Sequence, residues 1–525
     1  MVAFIEYIDR LSGAAAEVGL AEMLDRVSFV FLTITILAAP HSIAATQVAW
    51  GIGLFALIIR SVMRPRKIGK WRPLVIALWV FFGWSVVSAV FSYEPAVSLD
   101  RLRGPGLILF CIFVIGVIRN IQSAYFLAFA LIVSCMVNVI MTPIQRMIGR
   151  GVEIHGVAPD GPLAKSGLGN GDTILKADGK KLSDPQALID AIESKGSSKV
   201  DFHRSDWYSS TEVYKKDLLP GSDANFRLGV STSGPSHYWR MMGFYNHYTT
   251  YAEVLQLIMS LLFGLMVAAI LKRRKGTRPT NSEPQTPISR ISSLFTSTPF
   301  LIASFAAMSV AMIMTVTRAS QLSLMISALS IGMISMSRRA LIIAVLVAIP
   351  VGAAGLYLLQ ESRKVGVFDS TDESSQYRLM MWRDGIRLWQ ASPRNAVFGV
   401  GMDSIQKHWQ EWDMFDKGWQ HMGHFHSTPV QLLAERGLAA LILWLIVLGI
   451  YARSLWKGIR ANRDGDWRTF GILAGCFGGA VGFFSSGLVH WNLGDAEVAM
   501  VFFLLMGIGI RTVELSVGES RIITS

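Results

Sequence analysis

The chain has 525 residues, 52% of them hydrophobic and only 16% charged, with a mean hydropathy of +0.42 and a formal net charge of +12. That balance excludes a water-soluble globular protein, which could not hide so much apolar surface in one core, and predicts a polytopic membrane protein. The positive charge gathers at alternate span ends, so it reports topology and gives little support for nucleic-acid binding.

The first 25 residues carry Glu6, Asp9, Glu17, Glu22 and Asp25 and lack a short apolar core before a small-residue cleavage site. No removable signal peptide is expected, and the first span serves as the insertion signal. Apolar runs near the ~20 residues needed to cross a bilayer lie at 27–43, 46–63, 73–92, 105–119, 122–142, 251–271, 299–317, 319–337, 340–359, 429–450, 469–489 and 495–511, which predicts about twelve transmembrane helices. Basic clusters follow the second span (Arg64, Arg66, Lys67, Lys70, Arg72), the sixth (Lys272, Arg273, Arg274, Lys275), the eighth (Arg338, Arg339) and the tenth (Arg453, Lys457, Arg460, Arg463). The positive-inside rule then puts both termini in the cytoplasm. Cys111, Cys135 and Cys476 fall within apolar runs, without metal-ligand spacing and without implying disulfides.

Between the membrane segments 1–148 and 221–525, residues 149–220 read as an independent soluble module on the outer side. Its pattern is a strand at Val152–Val157, a turn-rich stretch, a strand at Thr173–Ala177, a hairpin turn at Asp178-Gly179, a helix at Asp184–Ser194 and a last strand pair. The run GVEIHGVAPDGPLAKSGLGNGDTILKADGKKLSDPQALIDAI resembles a bacterial PDZ domain of the type found in envelope proteases. The resemblance implies that Gly167, Leu168, Gly171 and Asp172 form the turn before a core strand. It also implies that the residues from Arg150 through Gly151, Val152, Glu153 and Ile154 form the edge that takes up a peptide terminus from a protein partner by strand addition. A module that only packs over the membrane domain is the other reading. The stretch Lys272 to Thr298, rich in Pro, Ser and Thr, reads as a cytoplasmic linker.

Three cations or titratable groups stand at outward span ends. Arg240, in HYWRMMGFYNHYTTYAEVLQL, lies among aromatics before a span and could be an interface anchor. Arg318, in MIMTVTRASQLSLM, sits between two spans joined by almost no loop, where an ionisable side chain is functional by default. His426 closes the polar, Trp- and His-rich loop 360–428, just ahead of a helix that Pro429 opens, where a helix N-terminus favours the neutral imidazole that suits a base. His421, His424 and His426 could also be read as a metal cluster.

Together these segments resemble the O-antigen ligase superfamily, membrane enzymes acting on undecaprenyl-diphosphate-linked glycans. RMMGFYNHYTTYAEVL, which contains Tyr245, is similar to the family's arginine, glycine and aromatic stretch, and TRASQLSL to its serine-arginine-small motif, with Thr317 before Arg318. YRLMMWRDGIRLWQASPRNAVFGVGMDSI resembles the start of its large periplasmic loop, with Arg378, Trp382, Pro393, Gly399 and Gly401 matching. HSTPVQLLAERGL resembles the HN-x-x-L-x-x-x-x-E-x-G ending, with Ser427 in place of asparagine.

The resemblance implies an all-α polytopic membrane protein of the bacterial inner membrane, with about twelve transmembrane helices, a small α+β PDZ-like periplasmic insert and its catalytic side in the periplasm. Arg318 and Arg240 would hold the diphosphate of the donor, and His426 would deprotonate a sugar hydroxyl of the lipid A core acceptor. Arg378, Trp382, Tyr245, His424, Arg101 and Arg103 would line the substrate site, with solvated loop charges the other and preferred reading of Arg101 and Arg103, and no cofactor or metal is required. A polymerase using a second lipid-linked glycan, a variant that glycosylates proteins, and a non-enzymatic envelope scaffold built around the PDZ-like module are the alternatives.

Overall fold

The computed structural model describes residues 2–14, 19–64, 72–204, 207–237, 239–274, 294–340, 342, 346, 373–418 and 423–523. The chain divides into two compact units, Met1–Asn138 with Phe244–Ser525, and Val139–Gly243. Its elements begin with α1 (Val2–Ser12), α2 (Leu20–Ala38), α3 (Ile43–Met63), α4 (Arg72–Val90), α5 (Pro95–Asp100), α6 (Ile108–Val117) and α7 (Ile121–Ile148). The insert follows with β1 (Arg150–His155), α8 (Pro162–Lys165), β2 (Thr173–Ala177), β3 (Lys180–Lys181), α9 (Pro185–Lys195), β4 (Ser197–Arg204), β5 (Trp207–Tyr214), α10 (Ala224–Leu228) and β6 (Thr232–Ser236). The remainder is helical: α11 (Tyr248–Arg274), α12 (Thr298–Met314), α13 (Arg318–Ser335), α14 (Glu373–Gln390), α15 (Pro393–Phe398), α16 (Ser404–His408), α17 (Phe415–Gly418), α18 (Thr428–Ala461), α19 (Trp467–Gly487) and α20 (Ala496–Ile523).

Seven helices are long and apolar enough to cross a membrane, namely α3, α4, α7, α11, α18, α19 and α20. Of the about twelve expected spans, these seven are shown among the described residues; several other runs fall short there for local reasons. Pro105 and its flanking glycines turn the start of the fourth run into a 3-10 turn, leaving α6 only 10 residues long, about 15 Å of helix. α2 carries Glu22, Asp25 and Arg26 near its start, and α12 has 17 residues. α13 is diluted by Arg318, Gln321 and a series of serines. The run 340–359 lies outside the described residues except for 340, 342 and 346, as do most of the linker 272–298 and residues 360–372.

Lipid tails are as apolar as leucine, so close backbone approach and polar contacts must join such helices. α11 and α19 meet through glycines: a Cβ on Gly475 would stand 2.6 Å from the Leu261 Cα. α13 joins them through Ser327 Oγ to Ser260 Oγ at 2.7 Å. This tight trio carries Arg318 on the first turn of α13.

The second unit is a small antiparallel sheet in the order β5-β4-β2-β1-β6, with β3 on β2, closed over a core that includes Val152, Ile154, Leu163, Ile174, Leu188 and Val200. Asp178 and Gly179, at φ 49° and 80°, make the expected β2–β3 turn. Asp184 caps α9 by accepting from the Ala187 N–H at 2.9 Å. The sheet takes in a strand beyond residue 220, β6, which pairs along the outer edge of β1.

Candidate functional site

The polar loop after α13 folds onto the first turns of α18. Buried Met381, Leu388, Val400, Ile405, Met414, Phe415 and Phe425 form a small core with Val430 and Ala434, and Tyr377, Trp382, Trp409 and Trp412 pack against it. The aromatic residues that made the loop conspicuous thus give it an interior of its own.

A break in α18 makes the docking specific. Gly437 sits at φ 73°, ψ 178° inside the helix, a conformation closed to side chains with a Cβ. The break frees carbonyls that a continuous helix would use internally. Val400 and Gly401 N–H donate to Ala434 O and Glu435 O at 2.8 and 2.9 Å. Trp84 Nε1 donates to Arg436 O at 2.9 Å, and Ser88 Oγ to Phe398 O at 2.7 Å. The Glu435 side chain accepts from the Asp403 N–H at 3.0 Å. The approach is mutual: a Cβ on Gly399 would lie 2.1 Å from the Glu435 carbonyl carbon, and one on Gly437 2.0 Å from Val397 O. Gly399, Gly401, Glu435 and Gly437 are therefore a clasp, and their spacing records where the loop meets the helix.

His426 stands at the exit of this clasp, two residues before α18, half-buried and with φ 46°. Positive φ is uncommon for a side-chain-bearing residue, and strain of this kind gathers where the fold over-determines a side chain's position. Val316, two residues before Arg318, has φ 52° and is β-branched, so both motif residues stand beside a forced turn. Phe425 N–H donates to Gln431 Oε1 at 2.8 Å, and Ser427 and Thr428 are buried. Burial holds the His426 imidazole well below its ordinary pKa of 6.5, with further lowering from His424, His490, Arg378 and His247. The His424 ring lies 4.2 Å from it, centroid to centroid, and is shifted down chiefly by burial too. Both imidazoles are neutral at physiological pH.

His424 is thus the ring in contact with His426, while His490, Arg378 and His247 act on it through their electrostatic influence. His424 Nδ1 and Trp382 Nε1 are buried without a hydrogen-bond partner among the described residues. Tyr245 is tied by its hydroxyl to Ala39 O at 3.3 Å and packs on Tyr251 at 5.8 Å, an anchoring role. Arg101 pairs with Asp403, the residue whose N–H holds Glu435, and exposed Arg103 reaches Asp100 at 3.5 Å. Arg240 belongs to the other unit, as do Gly151, Val152, Glu153 and Ile154 on β1. His421 lies outside the described residues, so the three-histidine metal reading is a matter for chelation.

Sequence reasoning missed a polar network beneath His426. Thr428 N–H donates to His490 O at 3.0 Å, and Thr428 Oγ1 to Asn492 Oδ1 at 2.8 Å. His490 Nδ1 meets Glu253 Oε1 at 2.6 Å, both side chains being buried, and Thr250 Oγ1 donates to Asp495 Oδ2 at 2.6 Å. The start of α18 is thereby tied to α11 through the loop before α20. Glu253 offered a signal, a carboxylate inside an apolar run; His490, in a short loop, offered none. Thr428 and Pro429 themselves border a small apolar gap between α18 and α19, together with Leu441, Trp444, Leu445 and Phe484.

No curated protein matches the chain. Residues 303–445, from α12 through the loop to the middle of α18, match the family model Wzy_C, O-antigen ligase. Arg318, Arg378, Trp382, His424 and His426 fall inside the matched stretch, and Arg240, Tyr245, Arg101 and Arg103 outside it. This is a mostly helical multi-pass membrane protein with a small antiparallel β-sheet insert, and residues 303–445 are similar to the O-antigen ligase family.

Proposed function

We propose that the protein is an inner-membrane glycosyltransferase of the ligase type, moving a glycan from undecaprenyl diphosphate to a sugar hydroxyl of the lipid A core. The observation that supports this most is His426, kept neutral chiefly by burial and held in a forced turn just ahead of α18, inside the stretch that matches the family. In this reading the acceptor oxygen attacks the anomeric carbon as its proton passes to His426, and the bond from that carbon to the diphosphate oxygen breaks with inversion. The electron pair leaves with undecaprenyl diphosphate. Arg318 and Arg240 pair with the phosphate oxygens and stabilise the charge that develops on them, because guanidinium stays protonated where water is scarce. Arg378, beside His426, opposes its protonation in the resting enzyme and adds a third cation for the donor. Trp382 packs against the loop's small core, and its Nε1 and His424 Nδ1 are left without a hydrogen-bond partner among the described residues.

The test is a glycolipid profile of a strain lacking the protein, complemented with wild type, Arg318→Ala or His426→Ala. Wild type should restore polymer on the lipid A core, and both variants should leave full-length chains on the carrier. Single-repeat chains in the deletion strain mean a polymerase. Unchanged transfer by both variants, with function lost on removing 149–220, returns the scaffold reading.

A further inference from the structure

β6 is an improbable strand. It reads Thr-Ser-Gly-Pro-Ser, with one β-branched residue and an adjacent glycine and proline, a composition depleted in sheets. Yet it runs antiparallel to β1, with Thr232 opposite His155, Ser233 opposite Ile154, Gly234 opposite Glu153 and, past a bulge in β1, Ser236 opposite Arg150. Main-chain pairing and the anchors at its two ends hold it there. Upstream, Leu228 and Val230 are buried in the core of the sheet unit, and Ser233 Oγ donates to Asn225 Oδ1 at 2.5 Å. Downstream, His237 Nδ1 lies 2.8 Å from Arg146 O, the Arg150 guanidinium covers the Trp239 ring at 4.0 Å, and Gln145 Nε2 donates to Gly243 O at 3.2 Å. Met241 is fully buried, and so is the Arg240 Nε between these contacts.

Backbone-only capture of an extended, sequence-poor segment at a sheet edge is how strand-addition surfaces take a ligand. We infer that the β1 edge is such a surface, that its ligand is residues 232–236 of the same chain, and that this pairing positions Arg240 four residues further on. Pro235 on the outer side then blocks the next strand, closing the edge. The pairing and the hold on Arg240 stand on the geometry alone; that Arg240 contacts a diphosphate rests on the function proposed above.

The experiment uses the full chain in lipid nanodiscs. Glu153→Cys with Gly234→Cys places thiols at partner positions, about 5 Å apart at Cβ; the native cysteines are buried and silent. Oxidation should crosslink most molecules and leave transfer within twofold. Absence of the crosslink overturns the pairing. Ile154 gives its N–H to Asp172 and its carbonyl to Gly171, so His155 faces β6 and Thr232 faces β1, and Thr232→Pro removes that N–H. In that background the maleimide labelling rate of an Arg240→Cys reporter should rise at least tenfold. Separately, with the arginine retained, transfer should fall at least tenfold and recover when the 153–234 disulfide is formed. Unchanged labelling refutes the positioning. Raised labelling with unchanged transfer leaves the positioning standing and removes Arg240 from the reaction.

Discussion

Substituting Gly437 by alanine tests whether the clasp between loop and α18 presents His426. The added Cβ would stand 2.0 Å from Val397 O, 2.4 Å from its carbonyl carbon and 2.9 Å from Phe398 N, all backbone atoms that cannot rotate away. Ordinary contact begins near 3.4 Å, so the loop must retreat by roughly 1.4 Å. Alanine at this φ and ψ costs about 1–3 kcal/mol. The retreat breaks the bonds from Val400 and Gly401, each contributing about 1 kcal/mol net. The sum, about 3–5 kcal/mol, shifts the docked-to-released equilibrium by at least about a hundredfold, at tenfold per 1.4 kcal/mol. Amide hydrogen exchange at Val400 and Gly401 should accelerate accordingly. Transfer should fall by a similar factor, since a misplacement of about 1 Å at a catalytic group can cost a hundredfold. Gly449→Ala in the same helix, where a Cβ meets nothing within 4 Å, is the control and should be silent. If the two variants exchange and transfer alike, the clasp does not hold the loop and the reasoning fails.

Because burial and then His424, His490, Arg378 and His247 lower the His426 pKa, its basic form persists as pH falls through 6.5, and the transfer rate should stay level from pH 8 to 6. A limb at 6.5 that disappears in a His426 variant would contradict this. The same shift makes the unfolded chain bind a proton that the folded one refuses, so this group's contribution to stability is full above pH 6.5 and declines below it, by at most about 1.4 kcal/mol per pH unit; thermal unfolding of wild type against His426→Asn measures it. Glu253→Gln keeps a hydrogen bond to His490 and should cost transfer less than tenfold. Glu253→Ala, which strands a buried imidazole at a cost of about 1–3 kcal/mol, should cost more than tenfold and lower the melting temperature. Equal losses would show that the contact does not steady the start of α18. Transfer should survive a chelator, whereas loss reversed by added zinc would assign His421, His424 and His426 to a metal.

Much of this chain was readable in advance because it depends on neighbours in sequence. Hydropathy alone marks the membrane character, and the strand at Thr173–Ala177, the Asp178-Gly179 turn and the Asp184 cap stand where turn and capping chemistry put them. The motif residues around Arg318 and His426 were visible as ionisable groups at the ends of apolar runs. Span number was less legible, since periodicity does not register that Pro105 shortens one helix and that serines dilute another. The purpose of Gly399, Glu435 and Gly437 was hidden, because their partners are backbone atoms of a different segment. So was the Glu253–His490 pair, whose members are 237 residues apart. β6 defied its own composition because the β1 edge, not its residues, recruits it. Composition, periodicity and capping are short-range and determined the membrane class, the element types and the candidate residues. The clasp, the buried network and the sixth strand form only when distant backbones meet, so tertiary structure alone decided how His426 and Arg240 are held.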